Sequence, residues 1–206
     1  MDILVIGMQV VCLVFSVILH EVAHGYVAYR LGDPTAFRAN RLTLNPLPHV
    51  DLFGSILLPL LLVMTHSSVL LGWAKPVPVN PGYFRNPRRG MMLVGAAGPL
   101  TNLALAVAGG VASRLLIPYA PLVSFFLAYL CITNLMLAVF NLIPIPPLDG
   151  SRIVLGFLSD EMAQTYLQLE RWGFIIIFGL LYLGALDYVV NPATSFLRDL
   201  ILGGAA

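Results

Sequence analysis

The stretch His20-Glu21-Val22-Ala23-His24 lies inside a long apolar run near the amino terminus. Residues Ile3 to Leu19 carry no charged side chain, and Gln9 is their only strongly polar one. Ionisable groups at membrane depth are costly, and a cluster of them therefore indicates function. We predict a membrane helix from about residue 2 to Leu31, with the ionisable cluster in its inner half.

The spacing of the two histidines suits a metal ion. On a helix, His20 and His24 lie one turn apart on the same face, so both imidazoles can bind one ion. Glu21 lies about 100° round the helix, where it reaches a metal-bound water without being a ligand. The same pattern also arises by chance in soluble proteins, but its position in an apolar run favours a metal site here.

The composition indicates a single membrane domain over residues 1–206. Hydrophobic residues make up 59% of the chain and charged residues 10%, whereas soluble domains carry about 25% charged residues. The formal net charge of +1 argues against a nucleic-acid partner. Cys12 and Cys131 both lie in apolar runs, where we expect them to pack as small hydrophobic side chains.

Further apolar runs predict an all-α polytopic fold of about four to six transmembrane helices, with its core at about residues 10–160. A C-terminal span is expected at about 165–187, followed by a short tail. Two further long spans are predicted at 90–117 and 122–142. Within the C-terminal span, the most apolar part is 172–186. Arg30, Arg38 and Arg41 follow the first span and mark that end as cytoplasmic.

The region between the first two of these long spans is irregular. Residues 36–44 alternate in part and predict a short strand. Residues 54–71 are apolar but broken by Pro59. The basic residues after them favour re-entry of the region 54–82 over a full span at 54–71, unless the charge rule misleads locally. His49 and Asp51 are weaker candidate ligands in a loop, and His66 is expected at a membrane interface.

An extended segment is predicted at residues 73–81, near the active site. Pro76, Pro78 and Pro81 exclude a helix and favour extended backbone. Such a segment either pairs with a substrate strand by β-addition or serves as a rigid linker. In the span that follows, small residues predict close helix packing, and Asn102 is expected to serve that packing.

The second landmark is Asn141-Leu142-Ile143-Pro144-Ile145-Pro146-Pro147-Leu148-Asp149-Gly150. Its prolines unwind the end of a span, and irregular backbone at membrane depth lines a protein cavity or water. Asp149 is expected at the same cytoplasmic level as the two histidines, while the other acids lie in turns or at the outer end. Two histidines, one carboxylate and a water form a catalytic type of zinc site, so Asp149 is the predicted third ligand.

These motifs together resemble the site-2 protease family of intramembrane zinc metalloproteases, in a compact form without PDZ or CBS domains. The resemblance covers about residues 10–160 and rests on HExxH at 20–24, GPxxN at 98–102, the proline-rich loop at 73–81 and NxxPxPxLDG at 141–150. It implies that His20, His24 and Asp149 bind one Zn²⁺ per chain. It also implies that Glu21 is the catalytic base and that Asn141 stabilises the oxyanion or places the substrate, with the 73–81 loop presenting that substrate in extended form.

The resemblance implies hydrolysis of peptide bonds within or near transmembrane helices of membrane-protein substrates, as in regulated intramembrane proteolysis. We expect a plasma or inner membrane location in the lipid bilayer, with the active site toward the cytoplasm. Two alternatives stay open: a metal-ion transporter, whose buried ligands would line an ion path, and a non-catalytic scaffold that binds membrane helices.

Overall fold

The computed structural model describes residues 3–57, 61, 64 and 73–203. Residues 3–57 and 73–203 form eight α-helices and no β-strand, and residues 61 and 64 are also helical. The helices are α1 (Ile3–Arg30), α2 (Thr35–Arg38), α3 (Pro87–Leu116), α4 (Pro121–Asn141), α5 (Asp149–Leu155), α6 (Asp160–Leu167), α7 (Gly173–Tyr182) and α8 (Asp187–Leu202). Short 3₁₀ turns lie at Leu47–His49, Pro81–Tyr83 and Gln168–Trp172, and a π-helical turn lies at Leu52–Leu57.

Helices α1, α3 and α4 are long and apolar enough to cross a membrane. A fourth candidate is the helical run from α6 to α7 together with α8, which is bent by 76°. The predicted all-α polytopic class is therefore confirmed. The described ranges hold three candidate spans, or four if the bent pair is one span, which is at most the lower end of the expected four to six.

The same turn geometry ends α1 and α7. Gly32 (φ +103°) and Gly184 (φ +67°) adopt the positive φ that glycine tolerates without steric cost. In each case the residue after the glycine donates its N–H to a carbonyl five residues back, as in a Schellman motif: Asp33 to Ala28 at 3.0 Å and Ala185 to Leu180 at 2.9 Å. In the region predicted as a span at 172–186, the helix accordingly ends at Tyr182, four residues earlier than predicted.

The strand predicted at residues 36–44 is wrong. Residues Thr35–Arg38 form a helical turn, and the N–H of Arg41 donates to the carbonyl of Ala36 at 2.9 Å. Asn40 has a φ of 52°, which closes the turn. Because the backbone groups are satisfied locally, the partial alternation does not lead to strand pairing. Much of the region predicted to re-enter, 54–82, lies outside the described residues, and so does His66.

Segment 73–80 contains neither helix nor strand, as its prolines predict. It is tied to the end of α1 by Asp33, which is fully buried. The carboxylate of Asp33 accepts hydrogen bonds from the N–H of Thr35 at 2.9 Å, from its hydroxyl, and from the N–H of Asn80 at 2.7 Å. The turn after α1 thus fixes where the proline-rich segment ends.

Close contacts position α5 against α3. A Cβ on Gly95 would lie 2.8 Å from Cβ of Arg152 and 3.1 Å from the carbonyl oxygen of Asp149, so only glycine permits this approach. Leu148, just before α5, is buried in an apolar cluster with Ile177, Leu186 and Val190. The unwound stretch between α4 and α5 is therefore anchored on one side by α3 and on the other by the C-terminal helices.

Replacement of Asp33 by alanine should destabilise the fold. The N–H groups of Thr35 and Asn80 would lose their acceptor, and an orphaned buried donor costs about 1–3 kcal/mol. We expect the unfolding midpoint of Asp33→Ala in detergent to fall clearly below that of the parent protein.

The matched control is Asp199→Ala, which removes an exposed carboxylate paired with Arg198 at 2.8 Å. Exposed ion pairs contribute about 0–1 kcal/mol, so this midpoint should hardly change. Equal midpoints for the two variants would contradict the role given to Asp33.

Candidate metal centre

Helix α1 brings the two predicted histidine ligands together. His20 and His24 are each 7% exposed, and their ring centroids lie 4.6 Å apart in an edge-to-face arrangement. The helical spacing of four residues places both rings on the face of α1 that packs on α3. Both Nε2 atoms point toward the start of α5.

Asp149, the first residue of α5, completes the cluster. Its Oδ2 atom lies 3.0 Å from Nε2 of His20 and 3.1 Å from Nε2 of His24. The same Oδ2 atom is buried and lacks a hydrogen-bond partner among the described residues. The three predicted ligands thus converge with one donor atom each, across the gap between α1 and α5.

The other nitrogen of each ring is already engaged. Nδ1 of His24 lies 2.6 Å from the backbone carbonyl of Val94, and Nδ1 of His20 lies 2.5 Å from Oδ1 of Asn102. A carbonyl only accepts, so Nδ1 of His24 carries the proton and Nε2 presents a lone pair. This is the arrangement that histidine ligands adopt toward a metal, with the outer nitrogen held by a carbonyl or amide.

One further observation fits a small cation between these donors. The space beside the rings is kept open by Gly98 of α3, where a Cβ would lie 2.5 Å from the Nε2 atoms of both His20 and His24. Two imidazoles and an ionised carboxylate form the donor set of a catalytic zinc site.

Glu21 stands beside this donor set with a different partner. One donor atom each from His20, Glu21 and His24 lie within 4.8 Å of one another. Oε2 of Glu21 accepts a hydrogen bond from the N–H of Val77 at 2.8 Å, in the proline-rich segment. The carboxylate is therefore adjacent to the cluster and held by the proline-rich segment.

The remaining predicted residues lie elsewhere. Nδ2 of Asn141 donates to the carbonyl of Leu137 in its own helix at 2.9 Å, and the structure gives it no hydrogen bond to the donor cluster. His49 is buried and bonds the carbonyl of Thr43 at 2.9 Å, while Asp51 accepts from the N–H of Gly54 at 2.7 Å. These two weaker candidates serve their own loop.

Sequence reasoning missed two asparagines that connect to the site. Asn102 was expected to serve packing, yet it contacts His20 directly. Asn134, in the middle of α4, was not considered, and its Oδ1 accepts from Nδ2 of Asn102 at 2.7 Å. The available signal was an amide in the middle of an apolar span, since polar groups inside the membrane are costly and tend to be functional.

Two buried histidines and one carboxylate, set among membrane-spanning helices, give this membrane protein the donor set of a catalytic type of metal site. The sequence model described as Peptidase family M50 matches residues 110–183, which include Asp149. The chain is 39% identical over 201 residues to a Bacillus subtilis protein named "Putative zinc metalloprotease YwhC", covering 94% of this chain and 88% of that one. It therefore belongs to peptidase family M50, the site-2 protease family of membrane metalloproteases, as the motifs predict.

More distant relatives agree with this assignment. A Mycolicibacterium smegmatis protein named "Putative zinc metalloprotease Rip2" is 33% identical over 176 residues, which are 84% of this chain and 65% of that one. "Zinc metalloprotease MJ0392" of Methanocaldococcus jannaschii is 29% identical over 154 residues, which are 73% of this chain and 34% of that one. The chain thus spans just under two thirds of Rip2 and about one third of MJ0392. No solved structure matches the chain.

Replacement of Gly98 by alanine should weaken Zn²⁺ binding. The added methyl group would occupy the space beside both Nε2 atoms, so the affinity for Zn²⁺ should fall by at least about tenfold, as when the supports of a metal ligand are lost. Competition with a chromogenic chelator in detergent measures this affinity.

The control for the Gly98 variant is Gly7→Ala. A Cβ on Gly7 meets no heavy atom within 4 Å, and the residue lies in α1 far from the cluster. Its Zn²⁺ affinity should equal that of the parent. Tight Zn²⁺ binding by a folded Gly98→Ala protein would show that the ion does not lie between the two rings.

Proposed function

We propose that this protein is an intramembrane zinc metalloprotease that hydrolyses peptide bonds within or near transmembrane helices of membrane-protein substrates. The observation that carries the proposal is the convergence of Asp149 Oδ2 on the Nε2 atoms of His20 and His24, at 3.0 and 3.1 Å. The zinc-metalloprotease names of the relatives support Zn²⁺ as the ion. In this proposal His20, His24 and Asp149 hold one Zn²⁺ per chain.

A bound zinc ion supplies Lewis acidity, which lowers the pKa of a water to about 7 and polarises a peptide carbonyl. Glu21 is the proposed base, which would take a proton from the attacking water and later transfer it to the leaving amine nitrogen. Because Oε2 of Glu21 accepts from Val77, Oε1 is the oxygen available for the proton. The hydrogen bond to Val77 also fixes the carboxylate beside the donor atoms, so that little reorganisation is needed during reaction.

Asn141 is retained as a proposed oxyanion or substrate-placing residue on the family resemblance alone. It is half-buried at the end of α4, where the chain unwinds toward Asp149. Its amide would have to exchange the carbonyl of Leu137 for the substrate when a substrate binds. One such donor contributes about 3 kcal/mol to the stabilisation of a developing oxyanion.

The proline-rich segment supports binding of an extended substrate. Backbone groups of alternate residues in an extended chain point to the same side. The backbone N–H groups of Trp73, Lys75 and Val77 point toward the protein. They donate to the carbonyls of Gly54 and His49 and to the carboxylate of Glu21, respectively. The carbonyls of Trp73 and Lys75 also accept from side chains, those of Ser55 and Arg41.

The opposite edge of the segment belongs to Ala74, Pro76 and Pro78. The carbonyls of these three residues have no hydrogen-bond partner among the described residues, and the two prolines have no N–H. This edge therefore presents mainly acceptors, which the N–H groups of an added substrate strand can satisfy. The segment holds Glu21 on its protein-facing edge through Val77, so a strand bound on the opposite edge would be connected to the proposed base through the segment.

The charge distribution supports a site that opens toward the cytoplasm of a cell membrane. Basic residues cluster at the end of α1 and the start of α3, as Arg30, Arg38, Arg41, Arg88 and Arg89. Such clusters mark cytoplasmic ends of spans. His24 lies six residues before the end of α1, about 9 Å along the helix axis. The site would thus be near enough to the cytoplasmic surface to receive water.

Neither alternative function gains a specific observation. A transporter would need ligands along a path, whereas the metal-capable groups within the described part of the chain form one cluster around His20. A scaffold would have no use for a carboxylate fixed beside that cluster. Both alternatives predict that Glu21 is dispensable.

Replacement of Glu21 by glutamine should abolish cleavage of a tagged single-span helix by the purified protein. The amide keeps the size of the side chain but cannot take the proton, and loss of a general base costs about 10²–10⁴-fold in rate. Zn²⁺ affinity should be unchanged, because the carboxylate is not a proposed ligand. The control is Glu161→Gln, at an exposed position in α6, which should cleave normally. Equal cleavage by parent and Glu21→Gln would reject the assignment of the base.

A substrate helix has to unwind before the site can reach its carbonyls, because these are bonded within the helix. A glycine near the scissile bond lowers helix stability by about 1 kcal/mol relative to alanine, which corresponds to about a fivefold faster cut. Two substrates that differ only in Ala or Gly at that place, and a second pair changed two turns away, test this by initial rates. Equal rates within the first pair would contradict the requirement for unwinding.

A further inference from the structure

A chain of buried polar side chains runs from the metal centre across three membrane-spanning helices. His20 of α1 contacts Asn102 of α3 at 2.5 Å, and Asn102 contacts Asn134 of α4 at 2.7 Å. Asn134 in turn contacts Ser16, back on α1, at 2.8 Å. Ser16, Asn102 and Asn134 are fully buried, and His20 is 7% exposed. These four side chains form what we term the amide relay.

The direction of each hydrogen bond in the amide relay is fixed at its far end. The hydroxyl of Ser16 donates to the backbone carbonyl of Cys12 at 2.6 Å, so Ser16 receives its other hydrogen bond from Asn134. The same side-chain nitrogen of Asn134 lies 2.8 Å from the backbone carbonyl of Leu130. Carbonyl oxygens cannot donate, so this atom of Asn134 is Nδ2 and its oxygen faces Asn102.

That orientation passes along the relay to the histidine. Oδ1 of Asn134 needs a donor, so Nδ2 of Asn102 faces it. Oδ1 of Asn102 is then left facing Nδ1 of His20, which must carry the proton. A neutral imidazole has one N–H, and its other nitrogen, Nε2, therefore presents a lone pair to the metal centre.

We propose that Asn102 and Asn134 are positioning residues that fix His20 as the Nδ1–H tautomer, so that Nε2 is free to bind zinc. The inference rests on the proposed function, because it assumes zinc at this site. Asn134 acts through Asn102 and touches none of the three ligands. The support of a zinc-bound histidine thus extends from α1 through α3 to α4.

The two histidines differ in how firmly their tautomers are held. Nδ1 of His24 faces the backbone carbonyl of Val94, which cannot be replaced by a donor. Nδ1 of His20 faces a side-chain amide, which presents either oxygen or nitrogen after a half turn. Asn134 prevents the side-chain amide of Asn102 from making that half turn. Only in the observed orientation does Asn102 offer its Nδ2 donor to Oδ1 of Asn134. This explains why an amide with no contact to the site matters to it.

The test compares Zn²⁺ affinities of purified variants by chelator competition. In Asn134→Ala the amide of Asn102 is free to turn its nitrogen toward His20, which favours the Nε2–H tautomer. We expect the affinity to fall by about tenfold or more, the usual effect of losing such support. In the double variant Asn102→Asp with Asn134→Ala, residue 102 can only accept, so the Nδ1–H tautomer and most of the affinity should return.

A matched control removes a different polar contact between the same two helices. Ser113 of α3 and Ser124 of α4 are buried and exchange hydrogen bonds of 2.9 Å to one another's carbonyls, with no link to His20. Ser113→Ala should leave Zn²⁺ affinity unchanged. Nitrogen-15 NMR of His20 supplies a second readout: Nδ1 carries the proton in the parent and loses it in Asn134→Ala.

Each outcome decides the inference. An unchanged affinity in Asn134→Ala, or a loss that the aspartate at 102 does not restore, would overturn it. If Asn134→Ala fails to fold, the NMR measurement on the parent protein decides alone. Absence of the proton from Nδ1 of His20 in the parent would then overturn the inference. Absence of Zn²⁺ binding by the parent would instead reject the proposed function, so the two failures are distinguishable.

Discussion

The constraint on which the rest of the structure depends is the burial of three ionisable side chains within a membrane protein. His20, His24 and Asp149 lie with their donor atoms about 3 Å apart, and each must be compensated because membrane interiors provide no water. Several features of the fold serve this need. Gly98 leaves room beside the rings, the chain before Asp149 is unwound, and the outer ring nitrogens are both bonded.

Helix α1 and the proline-rich segment are joined at two points, both through carboxylates. Glu21, beside the metal centre, accepts from the N–H of Val77, and Asp33, after the end of the helix, accepts from the N–H of Asn80. Pro78 between these points and Pro76 just before them leave the segment with few donors of its own. The position of the proposed base is thus linked to the surface on which a substrate strand would lie. A strand bound to the proline-rich segment would therefore affect the position of Glu21.

The parts of the fold and site that could be predicted from the sequence depend on local rules. Helical spacing places His20 and His24 on one face, the composition indicates membrane spans, and prolines exclude a helix over 73–80. Asp149 could be selected because it was the one acid next to the predicted unwound segment at the right level, and the structure places it directly after that segment, at the start of α5. The strand predicted at 36–44 failed because the alternation was partial and a helical turn satisfied the same backbone groups.

The amide relay could not be predicted in this way. Whether Asn102 meets His20, and Asn134 meets Asn102, depends on how α3 and α4 rotate and shift against α1, which no local pattern specifies. The bond between Glu21 and Val77 joins residues 56 positions apart and is equally non-local. The sequence could show only that these polar groups are costly where they lie, not what they bind.

X-ray absorption at the zinc edge of the purified, zinc-loaded protein tests the central claim most directly. The account predicts one zinc per chain with two imidazoles and oxygen ligands at about 2.0–2.2 Å. It also predicts loss of bound zinc or a changed oxygen shell in Asp149→Ala. Sulfur ligation at about 2.3 Å from Cys12 or Cys131, or a spectrum that Asp149→Ala leaves unchanged, would contradict a site built from His20, His24 and Asp149.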